Sequence, residues 1–131
     1  MQITAMNTII VRTEKKRPWC FVEIETDSGE IGVGEASQSR GDRGVAEQVR
    51  LMEAELLGRD PADMITPSAE RLLRDPFSGR LKYAAVSAVD QALWDLVGKQ
   101  AGMPCHRLFG GALRKEIPLY ANLALAAPEL D

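Results

Sequence analysis

Apolar and polar positions alternate most clearly over residues 19–26, where Cys20, Val22 and Ile24 share one parity and Glu23 and Glu25 the other. A period of two marks a strand with one buried face. Ile3 to Val11 is rich in Ile, Thr and Val without helical polarity and predicts a strand before it. Asp27-Ser28-Gly29 is a tight-turn sequence, and Ile31 to Ala36 predicts a third strand after it, so the amino-terminal part reads as an antiparallel meander. Gly32 and Gly34 fall on one face of that third strand, where missing side chains let a helix or another backbone come close. They form no dinucleotide loop, because a third glycine is lacking and a long polar loop follows in place of a helix.

The period then changes. Val45, Val49, Met52 and Leu56 predict an amphipathic helix ending at Gly58. Asp60-Pro61 and Thr66-Pro67 each set a capping residue before a proline, which predicts two short helical pieces, the second running to Arg74. Asp75 to Gly79 breaks that run. From Ala84 to Ala101 the apolar residues Val86, Val89, Leu93, Leu96 and Val97 recur at helical spacing, with Ala85 and Trp94 on the flanks. So wide a stripe predicts a core helix around which the other elements are organised. Gly102 and Pro104 mark its end. Strands followed by helices give an α+β domain. Farther on, Ile117 to Leu125 is apolar without alternation and predicts a strand buried on both faces. Such a strand expects parallel neighbours linked by helices, and none follows before Asp131, so the chain reads as the beginning of something longer.

Composition narrows the classes. The 131 residues are 45% hydrophobic and 27% charged with a formal charge of -3, which suits one soluble globular domain and disfavours a nucleic-acid surface. Lys15-Lys16-Arg17 is the only basic run and reads as a solvated loop. Cys20 and Cys105 have neither CxxC spacing nor a nearby His pair, so a reduced, cytoplasmic chain is expected. With no apolar run near the ~18 residues of a membrane span and no leader pattern, neither secretion nor a membrane is expected.

Three ordered stretches carry a family likeness: Val22 to Glu35 with its Asp-Ser-Gly-Glu turn and Gly-Val-Gly-Glu strand, Leu57-Gly-Arg-Asp-Pro61, and Ser87 to Lys99 with Gly102-Met-Pro104 and Leu108-Phe-Gly-Gly111. As a set they resemble the amino-terminal capping domain of the mandelate racemase and muconate-lactonizing group of the enolase superfamily. The resemblance implies a three-stranded meander followed by a helical bundle over residues 1–111, and a linker with the first strand of a (β/α)8 barrel over residues 112–131. The short connection Thr13 to Trp19 looks like the acid-sugar dehydratases, of galactonate or mannonate type. Racemases, epimerases and cycloisomerases of the same family are the alternative, and a self-associating module without catalysis is a third reading.

A complete member of the family implies a barrel holding Mg2+ on three carboxylates, with a lysine or histidine base that removes the proton α to a substrate carboxylate. In a dehydratase the β-hydroxyl then leaves, helped by a general acid. The resemblance assigns none of that machinery to this chain, which is expected to bind no metal and to be inactive alone. Its implied partners are the missing barrel, a sugar acid or other carboxylate, and a second copy met through the exposed apolar segment 117–125. The family role left to it is covering the barrel mouth with two loops. Candidate substrate contacts are Arg17 and Trp19 from the first and Ser37, Gln38, Ser39 and Arg40 from the second. An arginine could pair with a carboxylate, and Trp19 could exclude water. The plainer reading is that Trp19 packs on a helix and the serines satisfy backbone groups. Glu35, Asp90 and Asp95 read as structural, the last two serving ion pairs or caps; Cys20 reads as a core residue and His106 as a surface or packing residue.

Overall fold

The computed structural model describes residues 1–13, 16–37, 41–74 and 79–120. Strands β1 (Ile3–Thr13), β2 (Lys16–Thr26) and β3 (Ile31–Glu35) form one antiparallel sheet in the order β1-β2-β3. The turn is as the sequence predicts: Gly29 takes a φ of 81° and its N–H donates to the Thr26 carbonyl at 3.0 Å. Cys20, Val22 and Ile24 are buried on the inner face, and Phe21, Glu23 and Glu25 lie on the other.

The hairpin runs farther than its apolar pattern. Pairing continues through Val11–Trp19 to Thr13–Lys16, so Arg17, Pro18 and Trp19 belong to β2 and not to a loop. β3 ends opposite Phe21, which leaves the first residues of β2 paired on one side only. A proline lacking its N–H is tolerated at such an edge, and a register shift lies beside it between Val11 and Thr13.

Helix α1 (Asp42–Leu56) buries Val45, Val49, Met52 and Leu56, the four residues of its predicted stripe. Helix α3 (Gly79–Gln100) buries Val86, Val89, Leu93 and Leu96 and starts five residues before the predicted Ala84. α1 and α3 cover the inner face of the sheet, and α2 (Pro61–Arg74) packs on α3. Gly32 and Gly34 let α3 ride directly on β3. A Cβ at Gly32 would strike the Ala92 carbonyl, and one at Gly34 the backbone of Ala88. After α3, Gly102 adopts a φ of 63°, and a short helix α4 (Cys105–Leu108) follows Pro104.

Two expectations are corrected. α2 is one continuous helix with Pro67 inside it, not two pieces. Proline removes one i to i−4 bond, here to Asp63, and Asp63 is exposed, so water can take over the orphaned carbonyl. An internal proline costs a helix about 3 kcal/mol, while its restriction of the unfolded chain returns up to about 1 kcal/mol. Pro67→Ala is therefore expected to stabilise the protein by about 2 kcal/mol, read as a higher urea midpoint. The second correction concerns the apolar run from Ile117. Residues 117–120 carry no strand and are exposed, because no described element offers them a ladder; residues 121–125 lie outside the described residues.

Candidate functional site

The open end of the sheet, where β2 outruns β3, gathers the described candidates. Ala36 N–H donates to the Cys20 carbonyl at 2.8 Å, and Cys20 N–H donates to Ser37 Oγ at 3.1 Å. The Ser37 hydroxyl thus extends the ladder one step past β3 and does the backbone work that serines do in turns. Trp19 sits on the face away from the helices, 47% exposed, its ring parallel to Phe21 with centroids 6.3 Å apart. It does not pack on a helix, which corrects that reading. The backbone of Arg17 lies two residues nearer the hairpin tip. Gln38, Ser39 and Arg40 lie outside the described residues. The sheet end therefore brings Trp19, Ser37 and the Arg17 backbone together, with an aromatic surface beside a hydroxyl that already holds one donor.

Sequence patterning missed a second group of residues. Gln91, Asp95 and Lys99 stand on one line of α3 and meet alternate backbone groups of β3. Glu35 N–H donates to Gln91 Oε1 at 3.1 Å, and Gln91 Nε2 donates back to the Glu35 carbonyl at 3.3 Å. Val33 N–H donates to Asp95 Oδ2 at 3.0 Å, which also accepts from Lys99 Nζ at 2.8 Å. Lys99 Nζ donates in turn to the Ile31 carbonyl. Four helical residues rise about 6.0 Å and two strand residues about 6.6 Å, so the two repeats keep step over this length. The ladder satisfies the backbone of an edge strand, so Asp95 serves ion pairing and capping, as the sequence suggests. Glu35 takes part through its backbone.

The remaining titratable groups have no convergent geometry. Burial, and then the Asp42 carboxylate, push the Cys20 thiol up, which keeps it a neutral core residue. Burial also raises the Asp90 carboxyl above the usual carboxylate range. The folded state then holds its proton more firmly than the unfolded state does. This group's contribution is fully present below the unfolded value and is lost as pH rises through the folded one. Asp90→Asn is expected to raise stability at pH 7 and to lose that advantage near pH 3, checked by urea melts at both. His106 is exposed on α4. Among the described residues no three His, Cys, Asp or Glu side chains come together as a metal site needs, so the chain's own residues do not fit Mg2+ and supply no step through it. Among them also, no helix is long and apolar enough to cross a membrane. A cleft of about 650 Å3 between the end of α1 and α2, bordered by Glu55, Arg59 and Asp63, lies at the far end of the sheet. There Gly58 and Arg59 exchange backbone bonds with Ile3.

A three-stranded meander, two helices on its inner face and a third behind them form an α+β domain of the enolase amino-terminal type. The chain belongs to the family described as mandelate racemase / muconate lactonizing enzyme, N-terminal domain, whose model matches residues 3–110. D-galactonate dehydratase of Verminephrobacter eiseniae (strain EF01-2) is 38% identical over 122 residues, covering 92% of this chain and 31% of the relative. Among solved structures, an enolase from Agrobacterium radiobacter, bound to Na and L-malate and proposed to be a galactarate dehydratase, superposes with a TM-score of 0.78 at 33% identity. That match covers 87% of this chain and 29% of the other. The 3,6-anhydro-D-galactonate cycloisomerase of Zobellia galactanivorans superposes with a TM-score of 0.73 at 28% identity, over 85% of this chain and 32% of its own. The chain therefore spans about 31% of the length of the first of these relatives.

Proposed function

We propose that this chain is the substrate-specificity cap of an acid-sugar dehydratase and has no turnover by itself. The observation that carries the reading is the dehydratase likeness over 92% of this chain but 31% of the relative, together with the lack of any metal cluster among the described residues. The rest of such an enzyme would supply the base, the acid and the metal ligands in its barrel. The cap's part is to close over the substrate with the two loops at the open end of the sheet. Arg17 and Arg40 would pair with a carboxylate or bridge hydroxyls; Ser37, Gln38 and Ser39 would offer donors and acceptors; Trp19 would exclude water at their root.

The test joins this chain in frame to the barrel portion of the Verminephrobacter dehydratase and assays both proteins with D-galactonate and Mg2+. The chain alone is expected to give no dehydration and the joined protein to give it. In the joined protein, Arg17→Ala or Arg40→Ala should raise KM about tenfold, the loss of one charge-assisted hydrogen bond. Turnover by the chain alone, or a joined protein indifferent to every loop substitution, would overturn the reading. The likeness to a cycloisomerase supports a second reading, a cap of an isomerase in the same family. A joined protein that cyclises 3,6-anhydro-D-galactonate in preference to dehydrating galactonate would favour it.

A further inference from the structure

The helices cover one face of the sheet and leave the other bare. On that outer face Ile9 pairs with Phe21 and Val11 with Trp19, so four large apolar side chains lie side by side at the hairpin end. Ile9 is 40% and Val11 43% exposed. Toward the turn end the same face carries Glu23 and Glu25. The face is thus divided along its length into an apolar half and an acidic half. We propose that this face pairs with the same face of a second copy of this chain, forming a two-sheet sandwich about a two-fold axis through the Ile9, Val11 and Phe21 patch.

The division selects both the occupant and the axis. An axis through the middle of β2 would set Glu23 against its own copy, and like charges directly opposed are destabilising. An axis near Phe21 stacks apolar on apolar and carries the two acidic halves to opposite ends. The same operation lays the basic start of β2, Lys16 and Arg17 in the sequence, across from the acidic stretch of the other copy. Strands spaced about 4.8 Å and rising about 3.3 Å per residue give roughly 400 Å2 of projected face. Pairing two such faces buries on the order of 1,000 Å2, at the lower limit for a specific interface, so the dimer is a weak and concentration-dependent one. Trp19 borders both this patch and the proposed ligand loops, so the test relies on the residues farther from those loops.

Sedimentation equilibrium of the 131-residue chain from about 1 μM to 1 mM reads the outcome. The mass is expected to rise from one chain to two across that range. Ile9→Lys, and independently Val11→Lys, should hold the protein monomeric with an unchanged circular dichroism spectrum. Reversing Glu23 and Glu25 together to lysine should weaken the dimer about tenfold. A wild-type chain that stays monomeric throughout would overturn the proposal. So would a dimer that survives Ile9→Lys and Val11→Lys but is lost with Ile117→Ser and Leu119→Ser, which would place the contact on the exposed apolar segment instead.

Discussion

Gly34→Ala is expected to cost the fold about 3 kcal/mol or more, seen as a lower urea midpoint with an unchanged slope. The new Cβ would meet the carbonyl oxygen, carbonyl carbon and Cα of Ala88, none of which can rotate away. Removing glycine's freedom from the unfolded chain would normally return about 0.4–1 kcal/mol, so the collision decides the sign. Two controls separate this cause from general sensitivity. Ala88→Gly should not rescue the variant, because the obstructing atoms are backbone. Gly29→Ala, where nothing lies within 4 Å and only a positive φ is strained, should cost about 1–2 kcal/mol. Rescue by Ala88→Gly would show that the helix contact is made through side chains and sink the explanation.

Leu93→Ala is the second large effect, expected at about 3 kcal/mol and a loss of roughly 10–15 °C in Tm. Leu93 is fully buried in the cluster that joins α3 to the inner face of the sheet and to α1. Deleting its methyl groups removes transfer free energy and leaves a cavity that two elements would both have to move to close. Leu113→Ala should change stability by no more than about 0.5 kcal/mol, since that leucine is fully exposed. A thermal melt of the two variants beside the parent settles it: equal shifts would mean that the observed burial does not describe the cooperative core. Against a stability of about 5–15 kcal/mol for a domain of this size, either large loss leaves the protein near its threshold.

The core was legible wherever the chemistry is local. The alternation at Cys20, Val22 and Ile24 and the spacing of Val45, Val49, Met52 and Leu56 name the buried faces outright, since a period of two or 3.6 can satisfy only one geometry. Gly32 and Gly34 announced a close approach because two absent side chains on one strand face invite a backbone. Pro67 misled because a rule about one missing N–H ignores that an exposed carbonyl can turn to water. Gln91, Asp95 and Lys99 were invisible for the opposite reason: polar residues four apart on a helix read as a solvated stripe, and their partners lie about 60 positions away in sequence. Of the candidate contacts, Trp19 and Ser37 meet at one sheet end by strand register. That register could not be counted before the hairpin's length was known. The run at Ile117 shows the converse limit, because apolarity signals a need for cover and says nothing of which element provides it.

The polar ladder between α3 and β3 also constrains how this domain can change by insertion and deletion. One residue added within 91–99 would rotate the following positions by about 100°, withdrawing Asp95 and Lys99 from the strand together. One added within β3 would exchange Gly32 and Gly34 for side chains and drive them into the helix. Neither element tolerates a change of length by a single residue. The segments between β1 and β2 and between β3 and α1 carry no such constraint. Length variation among relatives should therefore collect at the open end of the sheet, where a longer or shorter loop reshapes what the domain presents without disturbing what holds it together.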